Sequence, residues 1–331
     1  MKFRIAIIAV LALLAAASCK KETEKVYMNG TLNVSIDMPP YVSPGEKYTA
    51  SASGVEAPDG TAVGYCFQNP STKKYDTVAV YTLVIPEEIG DYSLYCSAFA
   101  VESADKYYSS SASVPFTVVS ESESLQGIPV YETDGTATLY SREYPVFRAG
   151  GLDWTGANLS YIERNSASEE ILGHSFADSP ATQNILGAYY TWEEARTACP
   201  SGWHLPSDAE WVSLLKEAGA PQTLEPLQDS PSGAGNLMVK ATFNGNSFWE
   251  YYRGVNILNG THLSALSTGY ANVSGGKYTF LGFGSYAAFW TSDESGGQGV
   301  YRYIYQEYDN VYVGLADKQS FAASVRCVRN Y

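Results

Sequence analysis

Histidine is scarce, with only His174, His204 and His262 in a chain of 331 residues. None stands beside a paired serine or cysteine motif, and neither G-x-S-x-G nor H-E-x-x-H occurs, so the common hydrolytic constellations are excluded. Cations are also few: 21 Lys and Arg stand against 35 Asp and Glu, a formal charge of −14 with no basic patch. Phosphate-backbone binding rests on clustered Lys and Arg, so a nucleic-acid partner is excluded. The five cysteines include no C-x-x-C pair, which argues against a metal site. Helical periodicity is rare, while Tyr (27) and Gly (29) are abundant, favouring short strands and turns.

The length allows two domains, each with its own core. Lys2 and Arg4 precede an apolar run at 5–17 that is short for a bilayer span, the pattern of a cleaved signal peptide over 1–18. Ala16, Ala17 and Ser18 then lead into Cys19. This resembles the lipobox of bacterial lipoproteins, with Ala16 where Leu is more usual. The resemblance implies that the Cys19 sulfur is diacylated and becomes the mature N-terminus. The charged "CKKETE" opens a tether over 19–27 and resembles the segment that sends Bacteroidetes lipoproteins to the outer face of the outer membrane. A lipid-anchored protein facing the cell exterior is expected.

With Cys19 assigned to lipid, Cys66 and Cys96 remain in the N-terminal half and Cys199 and Cys327 in the C-terminal half. One disulfide per domain is the simplest pairing, and export permits it. Residues 28–119 read as short strands such as "TLNVSID", "AVGYCF" and "DYSLYCSAFAV", separated by turn signals such as "APDG". That is the pattern of a β-sandwich, immunoglobulin-like or PKD-like, which a Cys66–Cys96 bridge would staple. The Ser/Glu-rich "SESESLQG" at 120–127 reads as a linker. "DTV" at 76–78 fits the O-glycosylation pattern of Bacteroidetes, making Thr77 a candidate acceptor.

The domain at 128–331 opens on strand-like residues and then carries "TWEEARTACPSGWHLPSDAEW". Thr191 with Glu194, and Ser207 with Glu210, form two capping boxes. Trp192, Ala195 and Cys199 share one helix face; Trp211, Leu214, Leu215 and Ala218 share the next. Pro200 stops the first helix and Gly219 ends the second.

That run, then "LSTGYANVSG", "FWTSDESGG", "VYRYIY" and "FAASVRCVRN", resembles the Fibrobacter succinogenes major paralogous (FISUMP) domain in order and spacing. The resemblance implies a fold similar to the C-type-lectin-like fold, α+β in class, following the β-sandwich in a mostly β chain. It also implies a bridge from Cys199 at the end of the first helix to Cys327 in the last strand. It supplies no activity. Calcium-dependent lectins of that fold hold sugar through oxygen-rich loops. Here Leu227 in "EPL" has no oxygen to give, "WTSD" at 290–293 breaks the second half, and Trp290 reads as core. No cofactor is implied and nothing points to structural calcium. Formylglycine-generating enzymes share the fold and end similarly to "SVRCV", but their chemistry needs a cysteine pair that two structural cysteines cannot supply. His204 in "GWHLPS" reads as structural.

A binding surface remains. Tyr301, Tyr303 and Tyr305 alternate and share a strand face, with Tyr308, Asn310 and Tyr312 following. The face reads either as core, first of all at Tyr301 and Tyr305, or as a contact surface, since Tyr offers rigid area and a hydroxyl. The candidate ligand contacts are Tyr303, Tyr308, Asn310 and Tyr312. The leading expectation is non-catalytic recognition of a glycan, host or cell-surface ligand. A structural component of the envelope comes second and an unrecognised enzyme related to formylglycine-generating enzymes third.

Overall fold

The computed structural model describes residues 24–331. The expected signal peptide, Cys19 and the first part of the tether lie outside the described residues.

Strict alternation builds the N-terminal half. In Val80–Val84, Tyr81 and Leu83 are buried while Val80, Thr82 and Val84 face solvent, as a period of two requires. Asn29–Ile36, Lys47–Glu56 and Val80–Val84 form one sheet; a second has the order Tyr41–Val42, Ser110–Val118, Gly90–Ala100, Val63–Gln68, Tyr75–Thr77. Leu32, Ala50, Phe67, Leu83, Leu94 and Phe116 fill the space between them. Phe67 stacks on Tyr81 across that space, with ring centroids 5.1 Å apart. Near the start of the first sheet a Cβ on Gly30 would lie 2.1 Å from the Gly54 carbonyl oxygen, and Gly30 has φ +85°. The register slips between Gly30 and Asn33, so a glycine bulge bends this strand where no side chain fits.

The expected Cys66–Cys96 bridge does not form, and both thiols are free. Cys66 is paired with Ser97, and Phe67 with Cys96. Opposed residues share a face and neighbours alternate, so Cys96 enters the core beside Phe67 while Cys66 points to the outer face. Burial pushes the Cys96 thiol up to about 11.

The expected linker also differs. Val119 already belongs to the C-terminal core, and Leu125 packs against it. Leu125–Gln126 pairs antiparallel with Thr242–Phe243, and the Ser120 N–H donates to Ser124 Oγ at 2.8 Å within the intervening turn. Partial burial of Leu125 against that core overrides the polar composition around it. From the other side Tyr41 lies 5.6 Å from Phe176 and 5.9 Å from Phe243, and its N–H donates to Ser179 Oγ.

Strands also dominate the C-terminal half, where helices are few and short; the chain is mostly β with an α+β second part. Gly135–Leu139, Arg142–Ala149 and Leu152–Thr155 form a meander joined by Val328–Arg329. A second sheet runs His174–Ser175, Ala188–Thr191, Phe321–Ala323, Tyr270–Ser274, Lys277–Leu281; a third joins Tyr286–Ser295, Gln298–Tyr305 and Val311–Ala316. The last strand thus returns to the strands that open this half, and Cys199 is bonded to Cys327 across a sequence separation of 128. Beside that bridge, fully buried Arg326 donates to the carbonyls of Thr155, Leu263 and Ser264 and to Asn158 Oδ1. A buried guanidinium is tolerable only with such a set of acceptors.

Candidate functional site

The helices serve as a platform. Glu194 Oε2 accepts from the Thr191 N–H at 2.7 Å and Glu210 Oε2 from the Ser207 N–H at 2.6 Å, while each cap hydroxyl receives the N–H three residues on. The longer of the two capped helices, Asp208–Glu217, then meets the third sheet. Its first N–H, on Asp208, donates to Asp293 Oδ2 at 2.5 Å. The Asp208 carboxylate in turn receives Arg302 Nε at 2.6 Å and Nη2 at 2.7 Å, and the Leu227 N–H at 2.6 Å. Arg302 Nη1 donates to the Gln228 carbonyl. Trp192 and Trp290 are buried and anchor their indole N–H groups on the Thr291 and Tyr190 carbonyls.

This underside decides the opposite face. Val300, Arg302 and Ile304 are buried toward the platform, so alternation turns Tyr301, Tyr303 and Tyr305 outward, where they are half-buried. Tyr303 is paired with Tyr312 and Tyr286 with Tyr305. The rings of Tyr286, Tyr303 and Tyr312 stack in a row across three strands, with centroids 4.9 and 5.0 Å apart. Tyr270 and Phe321 extend the surface from the neighbouring sheet: Tyr270 lies 5.3 Å from Tyr286 and 5.1 Å from Phe321, and Phe321 lies 4.8 Å from Tyr301. Tyr301 is 5.7 Å from Tyr303, which closes a ring of five aromatic side chains. Gly314 makes room for it, since a Cβ there would lie 2.1 Å from the Tyr301 ring.

Burial, then the hydroxyl and charge of Tyr301, raise the Tyr286 pKa; burial, then Tyr301 and Asp229, raise that of Tyr303. These phenols therefore stay protonated and able to donate at neutral pH.

The candidate contacts come together. Tyr303 and Tyr312 are stacked cross-strand partners. Asn310 is two residues before Tyr312 and is partly exposed at the strand's start. Tyr308 is 51 % exposed at the hairpin tip, 6.3 Å from Tyr305. Asp309 holds the tip in place, its carboxylate accepting from the Gly233 and Gly235 N–H groups. The competing reading of this face as core fits it only partly, because Tyr301 and Tyr305 are half-buried rather than enclosed. Sequence periodicity missed Tyr270, Tyr286 and Phe321, which belong to other strands.

Thr77 lies elsewhere, exposed on the edge strand Tyr75–Thr77 of the N-terminal half. Each histidine has a local partner. His204 Nε2 is 2.9 Å from Glu210 Oε1, and its backbone pairs with Val328. His262 stacks on Tyr131 at 3.4 Å beside Asp134. His174 stacks on Tyr278 at 3.7 Å with Glu170 alongside. Among the described residues, no group of three or more His, Cys, Asp or Glu is arranged to hold a metal ion. Nor is any helix among them long and apolar enough to cross a membrane.

The sequence model of the family described as the Fibrobacter succinogenes major domain matches residues 147–329. The match omits Gly135–Leu139 and most of Arg142–Ala149, although the first strand pairs with the second, and the second with Leu152–Thr155 inside the match. No curated protein matches the chain.

Proposed function

The chain belongs to the Fibrobacter succinogenes major domain family, and from that premise we propose that it is a surface-exposed outer-membrane lipoprotein whose C-terminal half recognises a ligand without catalysis. The Cys19 motif supplies the lipid, and the N-terminal sandwich serves as the spacer that carries the recognition domain outward. The bridge from Cys199, at the end of the helix Trp192–Ala198, to Cys327 supports a C-type-lectin-like arrangement. One observation carries the reading: an aromatic surface from three strands and a neighbouring sheet stands half-exposed over a platform fastened by Asp208 and Arg302. Rigid tyrosines of this kind bind at low entropic cost.

The test is a glycan array together with pull-down from outer-membrane fractions, using the wild-type chain and the double variant Tyr303→Ala, Tyr312→Ala. Loss of a specific ligand in the variant is expected. Co-purification in an envelope complex, with no ligand captured by either chain, would replace recognition with a structural role.

A further inference from the structure

Beside the tyrosine hairpin lies a cleft of about 540 Å³, within the usual range for small-molecule sites. Its wall includes buried Val255 and Trp249, whose indole N–H is held by the Ala265 carbonyl at 3.0 Å. Tyr251, 87 % exposed, stands at the mouth, and Lys240, Glu250 and Asn256 are exposed around the rim. The cleft abuts the hairpin tip: the Glu250 N–H donates to Gln306 Oε1 at 3.1 Å, and Gln306 Nε2 donates to Tyr252 Oη at 3.4 Å. Tyr305 and Tyr308 follow at that tip and lead on to the Tyr303–Tyr312 stack.

We propose that this cleft is a calcium-independent binding site for a neutral oligosaccharide, whose chain continues from it over the tyrosine hairpin. The proposal rests on the recognition reading above and adds the ligand class and a second contact region. A sugar ring has an apolar C–H face and a girdle of hydroxyls that both donate and accept. The cleft offers the exposed Tyr251 ring and an apolar wall to the first and an ammonium, a carboxylate and an amide to the second. A purely apolar ligand would desolvate Lys240 and Glu250 without partners. An anionic ligand would face the Glu250 carboxylate on a chain of charge −14. A neutral polyol avoids both costs.

The experiment titrates neutral β-glucan, mannan and xylan oligosaccharides into the mature chain, read by calorimetry and tryptophan emission, with dextran sulfate as the anionic control. Each titration is repeated with EDTA. One neutral class is expected to bind regardless of EDTA and to alter Trp249 emission. Tyr251→Ala should weaken that binding at least tenfold and Glu250→Gln severalfold, with unchanged circular dichroism, because both side chains are exposed. Neutral-glycan binding that survives Tyr251→Ala but is lost in Tyr303→Ala would overturn the cleft and leave the recognition face standing. Binding of dextran sulfate alone, or binding abolished by EDTA, overturns the proposed ligand chemistry. No binding by any oligosaccharide also overturns the cleft.

Discussion

Arg302 and Asp208 face each other across 94 residues of sequence, joined by two hydrogen bonds of 2.6 and 2.7 Å, with side chains 0 % and 1 % exposed. The pair welds the start of the helix Asp208–Glu217 to the middle strand of the tyrosine sheet. Removing one partner leaves the other charge buried alone. Arg302→Leu or Asp208→Ala should each cost about 3–5 kcal/mol in chemical denaturation. The double variant should be less damaging than the sum of the two. Strict additivity would show that the charges do not depend on each other.

The Cys199–Cys327 bond closes a separation of 128 residues, and in the chain-entropy model such a loop is worth about 4–5 kcal/mol. Cys327→Ser should therefore lower the melting temperature sharply, whereas Cys66→Ser should not. Thiol alkylation of the native chain should label Cys66 first. Buried Cys96, with its thiol pushed up to about 11, should react only after unfolding.

At Gly314 even a methyl group would collide with the Tyr301 ring. Gly314→Ala should cost about 1–3 kcal/mol through overpacking and change the near-ultraviolet circular dichroism of the tyrosine face. An unchanged spectrum would mean that the ring moves aside freely.

Acid should loosen the region around His174. Although burial acts to raise it, the Glu170 pKa is lowered overall by hydrogen bonds from His174 and Ser175 and by the charge of Arg164. A carboxyl whose folded pKa is depressed contributes stability above its unfolded value, and that contribution is lost as pH falls through the folded one. Stability should thus decline below the ordinary glutamate range of about 4.5. Glu170→Gln should flatten that decline in denaturation series measured at several acidic pH values.

Much of the platform was legible because its signals are local. Thr191 with Glu194 and Ser207 with Glu210 are three residues apart, and a helix start needs nothing more distant. The alternation of Tyr301, Tyr303 and Tyr305 was likewise readable, as was the burial of Trp290. The Cys66–Cys96 expectation failed because spacing reveals that two strands exist but not their register, and this register puts the sulfurs on opposite faces. The linker expectation failed because composition weighs the serines and glutamates around Leu125 but cannot see Phe243 waiting for it.

Taken alone, the amino-acid sequence determined the helix caps, the strand-rich class, the family and the alternation that puts Tyr301, Tyr303 and Tyr305 on one strand face, since each depends on residues a few places apart or on a recurrent motif order. Tertiary structure alone decided that Asp208 meets Arg302, that Tyr270, Tyr286 and Phe321 complete the aromatic surface, and that Trp249 and Tyr251 flank a cleft beside it. Those relationships join separate strands and loops. They arise from strand pairing and side-chain packing over long sequence distances, which no local pattern encodes.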